Sequence, residues 1–532
     1  MPRYILRVEG VDFAETVDDT SNLSAYRGGS LALLEAPIAA ERFLIESGPS
    51  HGIRFDASAG PVMLGASQGV FLVEAEDDAG AGRLRDAVER HLSGITTPPF
   101  KHLSLMVDIA AGDDLVALKR AHALNRGRQF SSDGWSLPVF AREATGASTG
   151  FDPIRPATVS LRVPKGRVNA PATAHSTHDE VLVSPSFRDR FQYGRKARQG
   201  FYAANGVDEA RERTFTDSLQ DMVADPPDLL PLSVRSKIAV FYADGNGFGA
   251  IRDKARSLAE LTRFSNDLRS KQQSLLGGVV RWLAEGADRD PQAYSLSEDG
   301  RTGLRFETLL WGGDELCFVM PAWLGLEFLS LFNTWTADWK APSQDKLTHG
   351  VGLVFCREKT PIRLARRAAA ALADDAKSTL GGKAANVAQI EAFESTSPPG
   401  TEDQLLGQRL DLFRLGAEDA DLVRNALTLR DEGIPRSLQR LASLKERFPR
   451  SQIYRLLRKA RDTRLFGAKA GEGLDDDVVR YLKRAGAERA VTPQELAVLG
   501  GTVPLAFSLA AAAGLWDYVD PVRPLVTEIA DA

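Results

Sequence analysis

The chain has 532 residues, 43% of them hydrophobic and 26% charged, with a formal net charge of −5. That is an ordinary globular balance for three or four domains, and it excludes nucleic-acid binding by overall positive charge, so any such contact must come from a local patch. Only two cysteines are present, Cys317 and Cys356, and no stretch approaches 18 uncharged apolar residues; a disulfide framework, a cysteine zinc site and a membrane span are therefore not expected, and a cytoplasmic chain with no membrane partner is.

Residues 3–9 read as a strand and residues 30–36 (SLALLEA) as a second strand or buried element. Residues 69–78 read as a strand followed by a helix over 81–92, and 103–110 as a strand followed by a helix over 113–129. This alternation predicts a small α/β or α+β unit over 1–145. The stretch 143–180 is rich in Pro, Thr, Ser and Ala and reads as linker or irregular structure. Residues 184–202 (SPSFRDRFQYGRKARQGFY) interleave basic and aromatic side chains. They read either as a solvated helix face or as a patch touching RNA or nucleotide phosphates through Arg188, Arg190, Arg195, Lys196 and Arg198.

Residues 237–251 (KIAVFYADGNGFGAI) predict a strand, a glycine-rich loop and a long helix to about residue 285. A hairpin over 305–323, a helix over 324–335, a strand–loop–helix over 349–377 and a last strand over 386–395 complete a β-α-β-β-α-β-α-β order. That order predicts one antiparallel, ferredoxin-like sheet with helices on one face. From about residue 400 apolar positions recur every three to four residues, which predicts helices to the end.

The chemistry centres on WGGDEL, residues 311–316. Taken alone, Gly312-Gly313-Asp314-Glu315 reads equally as a hairpin turn or as part of a metal site. Asp244 ends the predicted strand that would lie beside this hairpin, so Asp244, Asp314 and Glu315 can converge. With the carbonyl of Gly245 they would hold Mg²⁺ (or Mn²⁺) on a nucleotide triphosphate, since hard cations take oxygen ligands and two-metal sites need convergent carboxylates. In the same loop as Asn246 and Phe248, Gly245 and Gly247 permit a sharp turn that aims backbone N–H groups at phosphates near a helix start. Gly312 and Gly313 leave room for a nucleotide. Lys377, with Arg366 and Arg367 before it, supplies positive charge for the β and γ phosphates.

These residues resemble the GGDEF/palm superfamily of nucleotidyl cyclases, and more closely the large palm-domain subunit of type III CRISPR effector complexes. YADGNGFG (242–249), WGGDEL, HGVGLVFCREKTPIRLARRAAAALADDAK (349–377) and AQIEAFES (388–395) carry the resemblance. It implies an α+β chain of two ferredoxin-like palm domains, the first degenerate and the second catalytic, with a C-terminal helical domain. The boundaries implied are 1–145 for the first palm, 146–235 for the linker and basic segment, 236–398 for the catalytic palm and 399–532 for the helical domain. In the first palm, 23–35 (LSAYRGGSLALLE) places Ser30 where the acid after two glycines would stand, so no metal is expected there.

The resemblance further implies synthesis of a cyclic oligonucleotide second messenger, with ATP or another NTP as substrate and with guide and target RNA and other CRISPR effector subunits as partners. The alternatives are an RNA-binding structural subunit with a non-cyclising palm, or a standalone cyclic-dinucleotide synthase. With strand-like sequence from residue 3, no HD-type nuclease is expected before the first palm; the inter-palm zinc cysteines are missing, and His175 and His178, the only nearby candidate ligands, read as part of a surface loop. Leu316 stands where diguanylate cyclases have phenylalanine. Arg252-Asp253 stand where those enzymes carry a base-selecting asparagine, which weakens a cyclic di-GMP assignment.

Overall fold

The computed structural model describes residues 1–11, 17–131, 155–164, 178–207, 213–298, 301–394, 398–462, 478–480, 482–484, 491–500 and 502–519. The fold is mixed α/β. The chain divides into two compact units: residues 1–212, 249–277 and 309–313 form the first, and residues 213–248, 278–308 and 314–532 the second.

The first unit is built on β1 (Arg3–Val11), α1 (Leu23–Glu46), β2 (Arg54–Phe55), β3 (Met63–Leu64), β4 (Gln68–Glu74), α2 (Asp78–Gly94), β5 (Ser104–Ala111) and α3 (Leu115–Ser131). The sheet runs β2-β4-β1-β5, all antiparallel, with β3 also paired to β4. Along β1 side chains alternate between faces. Tyr4, Leu6 and Val8 pack with Ala32, Ala36, Ala40 and Phe43 of α1 and Leu84, Val88 and Leu92 of α2. Ile5 points the other way, to Ala117 and Ala121 of α3.

The segment 30–36 is therefore not a strand. It lies within α1, whose start is capped by the Asn22 side chain accepting from the Ala25 N–H at 3.1 Å. Its small residues at helical spacing cover the sheet, and the periodicity over the longer run 32–43 decides for helix.

Within the expected irregular stretch 143–180, β6 (Val159–Pro164) pairs antiparallel with β7 (His178–Val183). Leu161 and Val183 bury one side of that ribbon against Phe187 and Phe191 of α4 (Pro185–Ala204). His175 lies outside the described residues, and of His178 only the backbone is described.

The five cations of α4 do not form one patch. Arg190 is fully buried and donates twice to Asp19, at 2.9 and 2.8 Å, while Arg198 is also buried. Arg188 pairs with Asp189 at 2.8 Å, and Arg195 lies over the Phe191 ring. The cause is the crossing of α1 with α4. A Cβ on Gly28 would stand 1.9 Å from the Arg190 carbonyl oxygen, and one on Gly194 2.0 Å from that of Ser24. Backbones this close turn the Arg190 side of α4 inward.

In chain order, the stretch that carries the second unit's main sheet runs through β8 (Lys237–Gly245), α5 (Phe248–Arg252), α6 (Leu258–Arg289), β9 (Glu307–Leu310), β10 (Glu315–Pro321), α7 (Gly325–Thr336), β11 (His349–Arg357), α8 (Ile362–Ser378) and β12 (Val387–Ala392), with residues 249–277 of α5 and α6 and the last two residues of β9 counted in the first unit. Then come α9 (Glu402–Phe413), α10 (Ala420–Leu427), β13 (Leu429–Arg430), α11 (Gly433–Arg447), α12 (Arg450–Asp462) and α13 (Leu505–Leu515).

The sheet order is β9-β10-β8-β11-β12-β13. β8 is antiparallel to β10 and β11, but β11 and β12 are parallel. The sheet is thus mixed rather than antiparallel, and helices cover both faces rather than one. Phe241 meets Phe328 and Phe332 of α7 on one face. On the other, α8 lies directly on the strands: a Cβ on Gly352 would stand 1.8 Å from the Ala369 carbonyl oxygen. The near-continuous burial of β8 and β11 is what such two-sided cover requires. The long helix expected after β8 is broken into α5 and α6, with residues 253–257 between them.

Candidate active site

The site forms at the end of β8. Asp244 stands opposite Glu315 in the β8–β10 ladder and opposite Gly350 in the β8–β11 ladder. Directly opposed residues share a face, with Cβ atoms about 5 Å apart. The Gly245 N–H donates to the Asp314 carbonyl at 2.9 Å, which brings Asp314 to the same edge. The backbone thereby places the three predicted acids at one end of the sheet although 70 positions separate Asp244 from Asp314.

The hairpin glycines answer a local need. Gly312 has φ 108° and Gly313 φ 67°, both in the left-handed region that side chains avoid. The turn is also held by a side chain, since Gln272 Nε2 donates to the Gly313 carbonyl at 2.8 Å. The turn reading is right for the glycines, and it leaves Asp314 and Glu315 exposed at the tip.

Lys377, on the last turn of α8, reaches Asp244 in an ion pair and Asp374 at 2.9 Å. Gly350 makes this possible, because a Cβ there would stand 2.4 Å from Lys377 Cγ. Burial raises the Asp244 carboxyl above its ordinary range; Lys377 opposes the rise and Asp314 adds to it. Glu315 is also raised although its residue is exposed at the tip: loss of water around the carboxyl is the largest cause, Asp244 and Asp314 add to it, and Arg366 and a Tyr242 hydroxyl hydrogen bond favour its charged form. Burial would lower the Lys377 ammonium, but hydrogen bonds to Asp244 and Asp374 leave it raised. Two carboxyls that resist ionising together, beside a cation that stays charged, form an acidic edge ready for a further positive charge.

Among the described residues, no three His, Cys, Asp or Glu side chains are drawn together tightly enough to hold a metal by themselves. The donors at this edge are oxygens only, which suits a hard cation shared between one or two carboxylates and a phosphate.

The loop residues behave differently from expectation. Asn246 is buried, and its Nδ2 donates to Thr348 Oγ1 at 3.0 Å and to the Gly382 and Ala385 carbonyls at 3.2 and 3.0 Å. Its backbone N–H donates to the Thr348 carbonyl at 2.7 Å. The N–H groups of Gly245 and Asn246 are thus committed within the protein and cannot be the ones aimed at phosphates. Phe248 is buried edge-on against His349, and a Cβ on Gly245 would strike its ring at 2.7 Å. Gly247 takes a left-handed φ of 69°. The buried side chains of Asn246 and Phe248 fix the loop.

Sequence reasoning missed Tyr242, Gly350 and Gly352. Two glycines at strand period, in HGVGLVF, were the available signal that a helix backbone lies on that face.

The first unit repeats the layout with other side chains. The Gly10 N–H donates to the Ser67 carbonyl at 2.8 Å, and Glu9 stands opposite Gln68. Ser67 and Gln68 occupy the places of Asp314 and Glu315, and Gln68 Nε2 donates to Glu9 at 2.9 Å. Ser30 is not the counterpart of the missing acid, since it lies inside α1. The counterpart is the turn at 65–67, which holds one hydroxyl and no acid.

No family model matches the chain, nor does any curated protein. Solved structures similar to it include Csm1 chains. A Csm1–Csm4 cassette in complex with cA3 is 13% identical, over 96% of this chain and 70% of that one, with a TM-score of 0.48. Csm1 in T. onnurineus is 11% identical, over 97% of this chain and 69% of that one, with a TM-score of 0.45. An apo Csm1–Csm4 cassette is 12% identical over 71% of this chain, with a TM-score of 0.40, and there the match spans about half (53%) of the other chain's length. At these values the likeness is one of broad outline.

Proposed function

We propose that the chain is a nucleotidyltransferase of the palm type that joins NTP units, ATP foremost, into a cyclic oligonucleotide within a type III CRISPR effector. In this reading the β8–β12 sheet is the catalytic palm and the β1–β5 sheet its degenerate counterpart, with the helices after residue 400 as a further domain. The observation that carries it is the register of Asp244 against Glu315, with Asp314 tied to Gly245, at one sheet edge beside Lys377. The choice of ATP and of cyclisation rests on the resemblance of residues 242–249 and 311–316.

Asp244, Asp314 and Glu315, with the Gly245 carbonyl, are the groups that would hold Mg²⁺. Bound there, the ion would polarise the α-phosphate and favour ionisation of an attacking 3′-hydroxyl. Lys377 is the residue placed to exchange its Asp244 partner for a phosphate oxygen. Arg366, already close enough to Glu315 to favour its charge, adds positive potential on the same face. Gly312 and Gly313 keep the hairpin tip free of side chains where a nucleotide passes.

The test is incubation of the purified chain with each NTP and Mg²⁺, with and without candidate RNA, reading pyrophosphate and products by mass spectrometry. Asp314→Ala with Glu315→Ala should abolish product and leave the circular dichroism spectrum unchanged. Conversion of ATP by this double variant at the wild-type rate would sink the assignment. A scaffolding palm, the competing reading, would retain RNA and release no pyrophosphate.

A further inference from the structure

The last turn of α8 carries more than Lys377. Asp375, two residues earlier, is fully buried. A buried carboxylate persists only when its oxygens are well supplied with donors. Asp375 receives them from three elements that follow α8 in the chain. Arg424 of α10 donates Nε to Oδ1 at 2.7 Å. Arg409 of α9 donates Nη1 to Oδ2 at 3.2 Å, and Gln389 of β12 donates Nε2 to the same oxygen at 2.8 Å. The arginines are held in turn: Arg424 Nη2 donates to Glu402 at 3.0 Å and Arg409 Nε to Glu391 at 3.2 Å. Arg430 Nη2 donates to Thr379 Oγ1 at 2.8 Å, just past the helix end.

The final turn of a helix lacks partners for its carbonyls and frays unless it is tied down. Here it is tied through a side chain pointing away from the acidic edge, while Lys377 on the same turn points toward it. Gly350 leaves the lysine stem its channel, since a Cβ there would stand 2.4 Å from Lys377 Cγ.

We infer that Asp375 is a positioning residue: through Arg409 and Arg424 it makes the seating of α9 and α10 set the place of the Lys377 ammonium at Asp244. This rests on the reading of Lys377 as part of the nucleotide site, but its primary test does not need turnover. The C-terminal helices then serve the site directly, and anything that shifts them shifts the cation.

The experiment labels the full chain with limiting acetic anhydride at one pH and quantifies acetylated Lys377 and Lys271 by mass spectrometry. Lys271 is a control: it pairs with Asp267 at 2.6 Å in the first unit and touches none of this network. Arg424→Gln should raise Lys377 labelling about tenfold, the scale of a lost charge-assisted tether, with Lys271 unchanged and Arg424→Lys close to wild type. Unchanged Lys377 labelling in Arg424→Gln overturns the inference, as does an equal rise at both lysines, which would mean general loosening. A selective rise in a chain whose wild type releases no pyrophosphate upholds the positioning role and refutes only the reaction. Where pyrophosphate release is present, the same variant should raise the KM for NTP more than it lowers kcat.

Discussion

Glu315 is a residue whose ionised form works against the fold. Its carboxyl, on a residue exposed at the turn, is raised by local loss of water and by the charges of Asp244 and Asp314, so its ionised form is disfavoured in the folded chain. A carboxyl raised on folding stabilises the fold below its unfolded pKa, and that contribution is lost as pH rises through the folded value. Glu315→Gln should therefore melt higher than wild type near pH 7.5, by about 2 °C once solvent screening of an exposed group is allowed for. The two should coincide near pH 4, where both side chains are neutral. Thermal melts of both proteins across this range decide it, and a variant that melts lower at pH 7.5 would refute the repulsion.

At the scale of elements, the close contact between α8 and the sheet is the controlling feature. Gly352 has no space for a methyl group, with the Ala369 carbonyl 1.8 Å from where it would be. Gly352→Ala must lift α8 from β11, and should destabilise the second unit by about 2–3 kcal/mol or prevent folding. Denaturant titration measures this; a change under about 0.5 kcal/mol would mean that the helix sits further from the strand. The same strand exposes the limit of pattern reading. Residues 349–377 showed strand, loop and helix, but the placing of that helix on the face opposite α7 follows from the parallel β11–β12 crossover. No local periodicity carries that information, because β8 and β11 are apolar at nearly every position and so do not mark an inner and an outer face.

For the whole molecule, each unit has its own core and its own buried ionic anchor. In the first unit Asp19 accepts from Arg190 at 2.9 and 2.8 Å, with both side chains fully buried. Asp19→Ala removes the carboxylate facing this guanidinium, which keeps its Nε bond to the Ser186 carbonyl at 3.3 Å, and should cost about 3–5 kcal/mol. Hydrogen exchange should then accelerate in peptides from residues 23–46 and 185–204 and stay near wild type in those from 237–245 and 349–357. Equal acceleration in both sets would show that the anchor supports the entire chain. Among the described residues no helix is long and apolar enough to cross a membrane.

The sequence by itself determined the strand and hairpin positions around Asp244, Asp314 and Glu315, because apolar runs, paired glycines and acids at a turn are local properties. It also made Lys377 a candidate, as a cation at the end of an amphipathic helix. Only the tertiary structure decided which groups meet. Register placed Glu315 against Asp244, helix–sheet contact at Gly350 and Gly352 delivered Lys377, and helix crossing at Gly28 and Gly194 buried Arg190. The same structure turned Asn246 and Phe248 inward, since a loop that holds three acids at one edge must itself be held by hydrogen bonds and packing that a chain reveals only when folded.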